Sequence, residues 1–180
     1  DGEGARRVMD ASLKRLDALG SDYWTGYTFA WQACLKARAH DGKGAERALE
    51  IFATAFTLRS SFHCNGDQSG TGFSKFTYRP FTLEGNFAAA VATQEMLLQS
   101  ARGVIRLFPA IPASWQDVEC SGLRAEGAFV VSARRRGGDV TALEIRAEVE
   151  GELRLVLPTG GDELRLAMQK GQIVRLGEDF

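Results

Sequence analysis

The sequence contains few of the residues from which metal centres and disulfide frameworks are built. It has three cysteines, Cys34, Cys64 and Cys120, without a CxxC pair, and only two histidines. Widely spaced cysteines in odd number argue against a zinc site and against a dense disulfide framework. Two histidines also leave little material for a metal cluster. We therefore expect no metal and no other cofactor.

Long apolar runs and an excess of charge are missing as well. The formal net charge of −1 gives no reason to expect nucleic acid or an anionic membrane as partner. No apolar run approaches the roughly 20 residues of a membrane-spanning helix, and no basic and apolar leader is present. Because the sequence begins at Asp1 rather than at methionine, we expect a processed product or a piece of something longer.

Hydrophobic periodicity predicts four helices in the first part of the chain. Residues 5–19 and 43–58 show one apolar face each, whereas 23–37 and 86–100 are apolar nearly all round. A helix that is apolar on all sides is buried by its neighbours. The alternation therefore predicts outer and inner helices of a layered helical structure.

After Gly103 the pattern changes to short alternating runs separated by glycine turns, which predicts antiparallel hairpins. We expect strands at 104–108, 127–134, 139–148, 152–157, 163–169 and 172–176. The whole is an α+β fold, with a helical region at 1–103 and an antiparallel β domain at 104–180. Arg134, Arg135 and Arg136, next to a Gly-Gly turn, predict a solvated hairpin end.

Three stretches offer polar or aromatic groups for a site. Trp24, Tyr27 and Trp31 share a face at helical spacing, which is typical of a core but also of a platform for a sugar ring. In the long loop 59–80, three polar residues alternate and would point the same way from an extended segment. They are His63, Asn65 and Asp67. The alternative is that Asn65-Gly66-Asp67 forms only a tight turn.

The third stretch presents an acid and an amide, Glu84 and Asn86, on either side of Gly85, just before the predicted fourth helix. Loops held by rigid scaffolds often carry function. The alternative interpretation is that Glu84 and Asn86 only cap the helix.

Six short motifs follow one another between residues of about 24 and 130. They are GYTFAW at 26–31, AR at 37–38 with DG at 41–42, PFTLEGNF at 80–87, QEMLLQS at 94–100, FPAIP at 108–112 with Trp115, and GLRAEG at 122–127. Each motif alone is weak, but six in register are specific. Together they resemble the C-terminal part of glycoside hydrolase family 95, the inverting α-L-fucosidases and their relatives.

The resemblance implies the last helices of an (α/α)6 barrel followed by an antiparallel β-sandwich-like domain. It implies that the acid of the EGN motif, Glu84, activates water together with asparagines from an earlier segment. A separate, earlier glutamate would protonate the leaving oxygen. The sequence departs from the family pattern in two places, because Glu84 replaces an aspartate and Tyr27 replaces a tryptophan. We therefore expect a divergent subfamily.

These observations lead to one set of candidate site residues. Glu84 is the catalytic candidate, and an oligosaccharide or glycoside would contact Asn86, His63, Asn65, Asp67, Trp24 and Tyr27. Inverting hydrolysis needs a second carboxyl group roughly 6.5–9.5 Å from the first. Glu95 does not fit this role, since its place in the helix favours a structural one.

We expect the 180 residues alone to be inactive as an enzyme. The two nearly all-apolar helices need neighbours on both sides, which a missing N-terminal part or a second copy of the chain would provide. The alternative function is a non-catalytic module that binds carbohydrate or another partner.

Overall fold

The computed structural model describes residues 2–158, 160 and 162–177. The chain forms two units that divide between Met96 and Leu97, the first helical and the second built of β-strands. This confirms the α+β composition. The division lies earlier than the predicted boundary after residue 103. Within the described residues, no helix is long and apolar enough to cross a membrane.

The helical unit contains α1 (Glu3–Leu19), α2 (Gly26–Arg38), α3 (Gly42–Ala55) and α4 (Glu84–Leu97). Helices α2, α3 and α4 contact one another through alanines. Ala33, Ala48 and Ala92, one from each helix, form one buried cluster. A second cluster joins Phe29 and Ala30 of α2 to the end of α3 and the residue after it. Small residues at the contact let the helices approach closely, as the apolar periodicity predicts.

The first helix lies on the surface of this unit. Most of its apolar residues are exposed, and Val8 has 67% of its surface open. Its contact with α2 is polar, because Asp17 accepts hydrogen bonds from Gln32 at 2.7 Å and from Lys36 at 2.9 Å. The expected amphipathic helix is therefore present.

The long segment between α3 and α4 folds back on itself through its backbone. The amides of Asn65, Gly66 and Asp67 donate to carbonyl oxygens at Pro80, Tyr78 and Phe76. The amides of Cys64 and Gln68 donate to carbonyls at the end of α3. These bonds satisfy backbone groups that would otherwise be buried without partners, so the segment has a defined path without regular secondary structure.

The β unit is a sandwich of two four-stranded sheets. One sheet has the order β1 (Leu98–Ala101), β2 (Val104–Leu107), β6 (Gly151–Val156) and β7 (Leu164–Met168); the other has β3 (Val118–Ala125), β4 (Phe129–Arg136), β5 (Asp139–Ala147) and β8 (Ile173–Gly177). Alternate residues of both sheets enter one core, which includes Ile105, Leu155, Phe129, Val131 and Ile145.

Three details of this unit differ from the prediction. Strands β1 and β3 were not predicted, and β2 pairs with β6 in parallel rather than within an antiparallel hairpin. The arginines at the β4–β5 turn are not simply solvated. Arg135 is half-buried and donates to the carbonyls of Gly138 at 2.7 Å and Trp115 at 2.8 Å. Arg134 and Arg136 both donate to Glu119.

Candidate active site

The acid of the EGN motif lies in the first turn of a helix, not in a loop before it. Helix α4 begins at Glu84, whose side chain is exposed. The pKa of Glu84 is lowered by a hydrogen bond from its own backbone amide, by one from the Thr82 hydroxyl, and by the neighbouring His63. Positive charge at a helix N-terminus acts in the same direction. Glu84 is therefore an ionised carboxylate at neutral pH, as a group that activates water must be.

Asn86 holds the backbone of the preceding loop. Its Oδ1 accepts a hydrogen bond from the His63 backbone amide at 2.8 Å, and its Nδ2 donates to the Ser61 carbonyl at 2.8 Å. Ser61 has a φ of 69°, which is unfavourable for a residue with a β-carbon. Both ends of the Asn86 amide are thus engaged by the loop, and contact between Asn86 and substrate stays a prediction.

His63 lies beneath the site and has no exposed surface. Its ring stacks on Phe52 with the centroids 5.5 Å apart, and its Nδ1 lies 3.0 Å from both the carbonyl and the hydroxyl oxygen of Thr82. A side chain buried in this way cannot touch a substrate. The expected substrate contact at His63 is therefore corrected to a structural position behind Thr82.

Asp67 is also buried, with 5% of its surface exposed. Its carboxylate accepts hydrogen bonds from the amide and hydroxyl of Ser69 at 2.8 and 2.6 Å, and from the amide of Phe73 at 2.8 Å. Asp67 therefore organises the loop that follows it, which corrects its expected role in binding substrate.

Asn65, the middle member of the alternating trio, is half-buried. Its carbonyl accepts from the amide of Gly26 at 3.2 Å, which links the loop to the first residue of α2. His63 and Asp67 point inward, so the three side chains do not form one polar surface. Binding of substrate by the Asn65 side chain stays a prediction.

The aromatic residues divide into a packed member and exposed ones. Trp24 precedes α2 and packs edge-on against Phe29 with 5.2 Å between ring centroids. Tyr27 and Trp31 lie one turn apart in α2 and are 43% and 42% exposed. The expected stripe of three on one helix is therefore wrong for Trp24, which lies outside the helix. Contact between substrate and Tyr27 stays a prediction.

Sequence reasoning missed Thr82 and two glycines. A β-carbon on Gly26 or on Gly85 would lie 2.5 Å from the His63 ring, so both positions must lack one. Each glycine lies in the first turn of its helix, α2 or α4. Gly26 and Gly85 both belong to motifs quoted above, which was the available signal for their importance. Thr82 belongs to the same motif as Gly85 and carried the same signal.

Glu95 and the possibility of a metal site remain to be placed. Glu95 forms an ion pair with Arg38 at 2.6 Å, in keeping with its expected structural role. Among the residues that the structure describes, no cluster of His, Cys, Asp and Glu has the arrangement of a metal site.

Comparison with known proteins gives matches over both units. The model of the family 95 glycosyl hydrolase catalytic domain matches residues 2–97, and that of the glycoside hydrolase family 95 C-terminal domain matches residues 99–176. The chain is 30% identical over 152 residues to alpha-L-fucosidase 2 of Arabidopsis thaliana. This alignment covers 83% of the chain but 17% of that relative, so the chain spans a small part of its length. With matches to both domains in order, the chain belongs to glycoside hydrolase family 95.

Proposed function

We propose that the chain carries the water-activating carboxylate of an inverting glycoside hydrolase, and that Glu84 is this group. The observation that supports the proposal most directly is the place of Glu84, an exposed carboxylate in the first turn of α4. A general base must be ionised before it can take a proton from water. The resemblance of residues 80–87 to the family motif supports the same role for Glu84.

The proposed hydrolysis needs one carboxylate that acts as the base and one carboxyl group that acts as the acid. Glu84 takes a proton from a water molecule, whose oxygen attacks the anomeric carbon from the face opposite the leaving group. A second carboxyl group, roughly 6.5–9.5 Å away, protonates the leaving oxygen. We infer that the acid comes from a part of a longer protein outside these 180 residues, as do the asparagines that help Glu84 to hold water.

The substrate that we propose to test first is an α-L-fucoside, because the relative described above is an alpha-L-fucosidase. Glu84 has one methylene more than the aspartate of the family pattern, and Tyr27 replaces a tryptophan. Both changes would alter the space around a bound sugar, so other α-linked glycosides should be tested beside the α-L-fucoside.

The test uses the longest natural protein that contains the chain. Glu84→Gln removes the base but keeps the size of the side chain, and should lower turnover by at least about 10²-fold while substrate binding is retained. Glu84→Asp is the matched control, because it keeps an ionised carboxylate. Turnover of Glu84→Gln near that of the unaltered protein would contradict the role of Glu84. NMR of the first product formed should show the inverted anomer.

We further propose that the 180-residue chain alone does not hydrolyse glycosides, since the acid would be missing. Incubation of the purified chain with aryl α-L-fucosides tests this directly. Hydrolysis that is lost in Glu84→Gln would show that the chain contains its own acid.

A second candidate function is carbohydrate binding without catalysis, which the exposure of Tyr27 and Trp31 on neighbouring turns of α2 favours. Aromatic faces bind the apolar face of sugar rings. If this is the function, the change of both residues to alanine abolishes retention of the chain on immobilised oligosaccharide, whereas Glu84→Gln leaves it unchanged.

A further inference from the structure

His63 contacts the chain on both sides of Glu84. Its Nδ1 lies 3.0 Å from the Thr82 carbonyl oxygen, and its backbone amide donates to Oδ1 of Asn86 at 2.8 Å. Its Cγ lies 2.5 Å from the place that a β-carbon on Gly85 would take. Residues before and after Glu84 are therefore held by one residue that is distant in sequence.

The contact between Nδ1 and Thr82 is a directed hydrogen bond. A carbonyl oxygen can only accept, so Nδ1 of His63 must carry the proton and donate it. Thr82 lies just before Glu84, the first residue of α4, and the amide of Phe87 closes the first turn on the carbonyl of Leu83 at 3.0 Å. The bond from His63 therefore fixes the chain at the point where it enters this turn.

The same ring also adjoins the beginning of α2. A β-carbon on Gly26 would lie 2.5 Å from Nε2 of His63, and the amide of Gly26 donates to the carbonyl of Asn65 at 3.2 Å. Phe52 of α3 stacks on the imidazole with 5.5 Å between ring centroids. Contacts from α2, α3 and α4 hold the ring in one position, because a close-packed side chain cannot shift without its neighbours. The start of α4 is thus placed relative to α2 and α3 through His63.

Filling the interior does not by itself require a histidine. An apolar side chain of similar size would occupy this space without the cost of burying a polar ring. The ring also requires glycines in the first turns of α2 and α4, and glycine lowers the stability of a helix relative to alanine. The directed bond to Thr82 is the contact that an apolar side chain could not make, and it acts on the residues next to Glu84. Local features that cost stability are typical of functional sites.

We propose that His63 is a positioning residue of the catalytic site, which holds the first turn of α4, and with it the backbone of Glu84, in place relative to α2 and α3. The ring has no exposed surface, so it acts through the residues that it contacts and not on the substrate. The proposal rests on the role of Glu84 proposed above. Its first measurement, however, requires no turnover.

That measurement is hydrogen exchange, followed by mass spectrometry in the longest natural protein that contains the chain. His63→Ala should raise the exchange rate of peptides from the first turn of α4 by at least about 10-fold, because this turn opens more often when its anchor is lost. Met96→Ala is the matched control, since Met96 is buried in the last turn of the same helix. It should speed exchange there and leave the first turn unchanged. Unchanged exchange of the first turn in His63→Ala would overturn the proposal.

Two further variants test the directed bond. His63→Asn places an amide N–H close to the position of Nδ1 and can still donate to the Thr82 carbonyl, whereas His63→Leu fills the space without a donor. The first turn of α4 should therefore exchange more slowly in the asparagine variant than in the leucine variant. Equal rates in these two variants would contradict the bond, and the comparison also decides the question if His63→Ala does not fold.

The contact between the ring and Gly85 is tested by a double variant. Gly85→Ala alone should speed exchange of the first turn, because the added methyl group must displace the ring. In the His63→Ala background the space is free, so the same change should slow exchange or leave it as it is. Acceleration of equal size in both backgrounds would contradict the contact.

Kinetics separate this proposal from the proposed function. His63→Ala should lower kcat by about 10-fold with KM little changed, because the carboxylate is displaced rather than lost. His63→Asn should recover part of this loss, and Met96→Ala should leave kcat unchanged. If Glu84→Gln retains turnover, the catalytic role of Glu84 fails, while hydrogen exchange still decides whether His63 holds the first turn of α4. If Glu84→Gln is inactive but folded His63→Ala has the kcat of the unaltered protein, the positioning role alone fails.

Discussion

Gly85 lies so close to His63 that a β-carbon on Gly85 would be 2.5 Å from Cγ of the imidazole. The glycine that follows the catalytic candidate is therefore required by packing rather than by a turn. Its helical position leaves the backbone regular, and the absence of a side chain lets the ring lie directly beneath the first turn of α4.

The first prediction concerns this contact. Gly85→Ala should lower the free energy of unfolding by about 1–3 kcal/mol, because the added methyl group must displace the ring or the helix. Gly4→Ala is the matched control. Gly4 is the second residue of α1, as Gly85 is of α4, and nothing lies within 4 Å of where its β-carbon would be. Urea unfolding of the chain compares them, and equal stability of both variants would contradict the packing argument.

The helices were predictable from sequence because their apolar residues recur at helical spacing, and α3 is the clearest example. Ala45, Ala48, Phe52 and Ala55 are all buried at the positions that the pattern indicates. The beginning of α4 was not predictable, because glycine is a poor helix former and Gly85 is typical of a turn. Only the position of His63, distant in sequence, explains why a glycine belongs inside this helix.

The strand β1 and the inward residues of the loop were missed for related reasons. Leu98–Ala101 continues the helical apolar pattern, but its register with Val104–Leu107 is set by a turn at Arg102 and Gly103, which both have positive φ. The expectation for His63 and Asp67 assumed an isolated extended segment. In the structure the backbone of the same segment bonds to residues 76–80, the carboxylate of Asp67 accepts a hydrogen bond from the amide of Phe73, and the ring of His63 is buried.

The second prediction concerns the pH dependence of stability at Asp67. Burial raises the pKa of Asp67, but hydrogen bonds from Ser69, Phe73 and Ser74 outweigh it and hold the pKa below its ordinary value of 3.8. A carboxyl group with a lowered folded pKa stabilises the fold above its unfolded pKa. This contribution is lost as the pH falls through the folded value.

Asp67→Asn should therefore cost about 1–3 kcal/mol of unfolding free energy at pH 7, and the difference from the unaltered chain should shrink as the pH falls below 3.8. Asp10→Asn, on the exposed surface of α1, controls for the removed charge and should cost no more than about 0.5 kcal/mol. Urea unfolding at a series of pH values measures both. A difference that stays constant down to acid pH would show that the hydrogen bonds do not depend on ionisation.

The third prediction distinguishes two adjacent arginines in the β unit. Arg135 donates to two backbone carbonyls from a half-buried position, whereas Arg136 is exposed and reaches Glu119 at 3.1 Å. Arg135→Ser should lower the unfolding free energy by about 1–3 kcal/mol, since it leaves the carbonyls of Trp115 and Gly138 without these donors. Arg136→Ser should cost about 0–1 kcal/mol, as is usual for a surface ion pair. Thermal unfolding followed by circular dichroism should rank the variants in this order, and the reverse order would contradict it.

The last prediction concerns the apolar surface of α4. Phe87 and Val91 lie one turn apart and are 65% and 50% exposed. Apolar side chains grouped in this way favour association, because their contact with water is unfavourable. We expect the 180-residue chain to associate with itself in a concentration-dependent manner, and the double change Phe87→Ser with Val91→Ser to shift it towards monomer in sedimentation equilibrium.

The control for this prediction is the equivalent change on α1, where Val8 and Leu19 are 67% and 62% exposed. These two residues lie far apart along their helix, so they do not form a joint surface as neighbours one turn apart do. Serine at both positions should leave the association constant nearly unchanged. If the α1 variant dissociates as readily as the α4 variant, association depends on total exposed apolar area and not on the face of α4. A chain that is monomeric at every concentration would show that this face needs no partner.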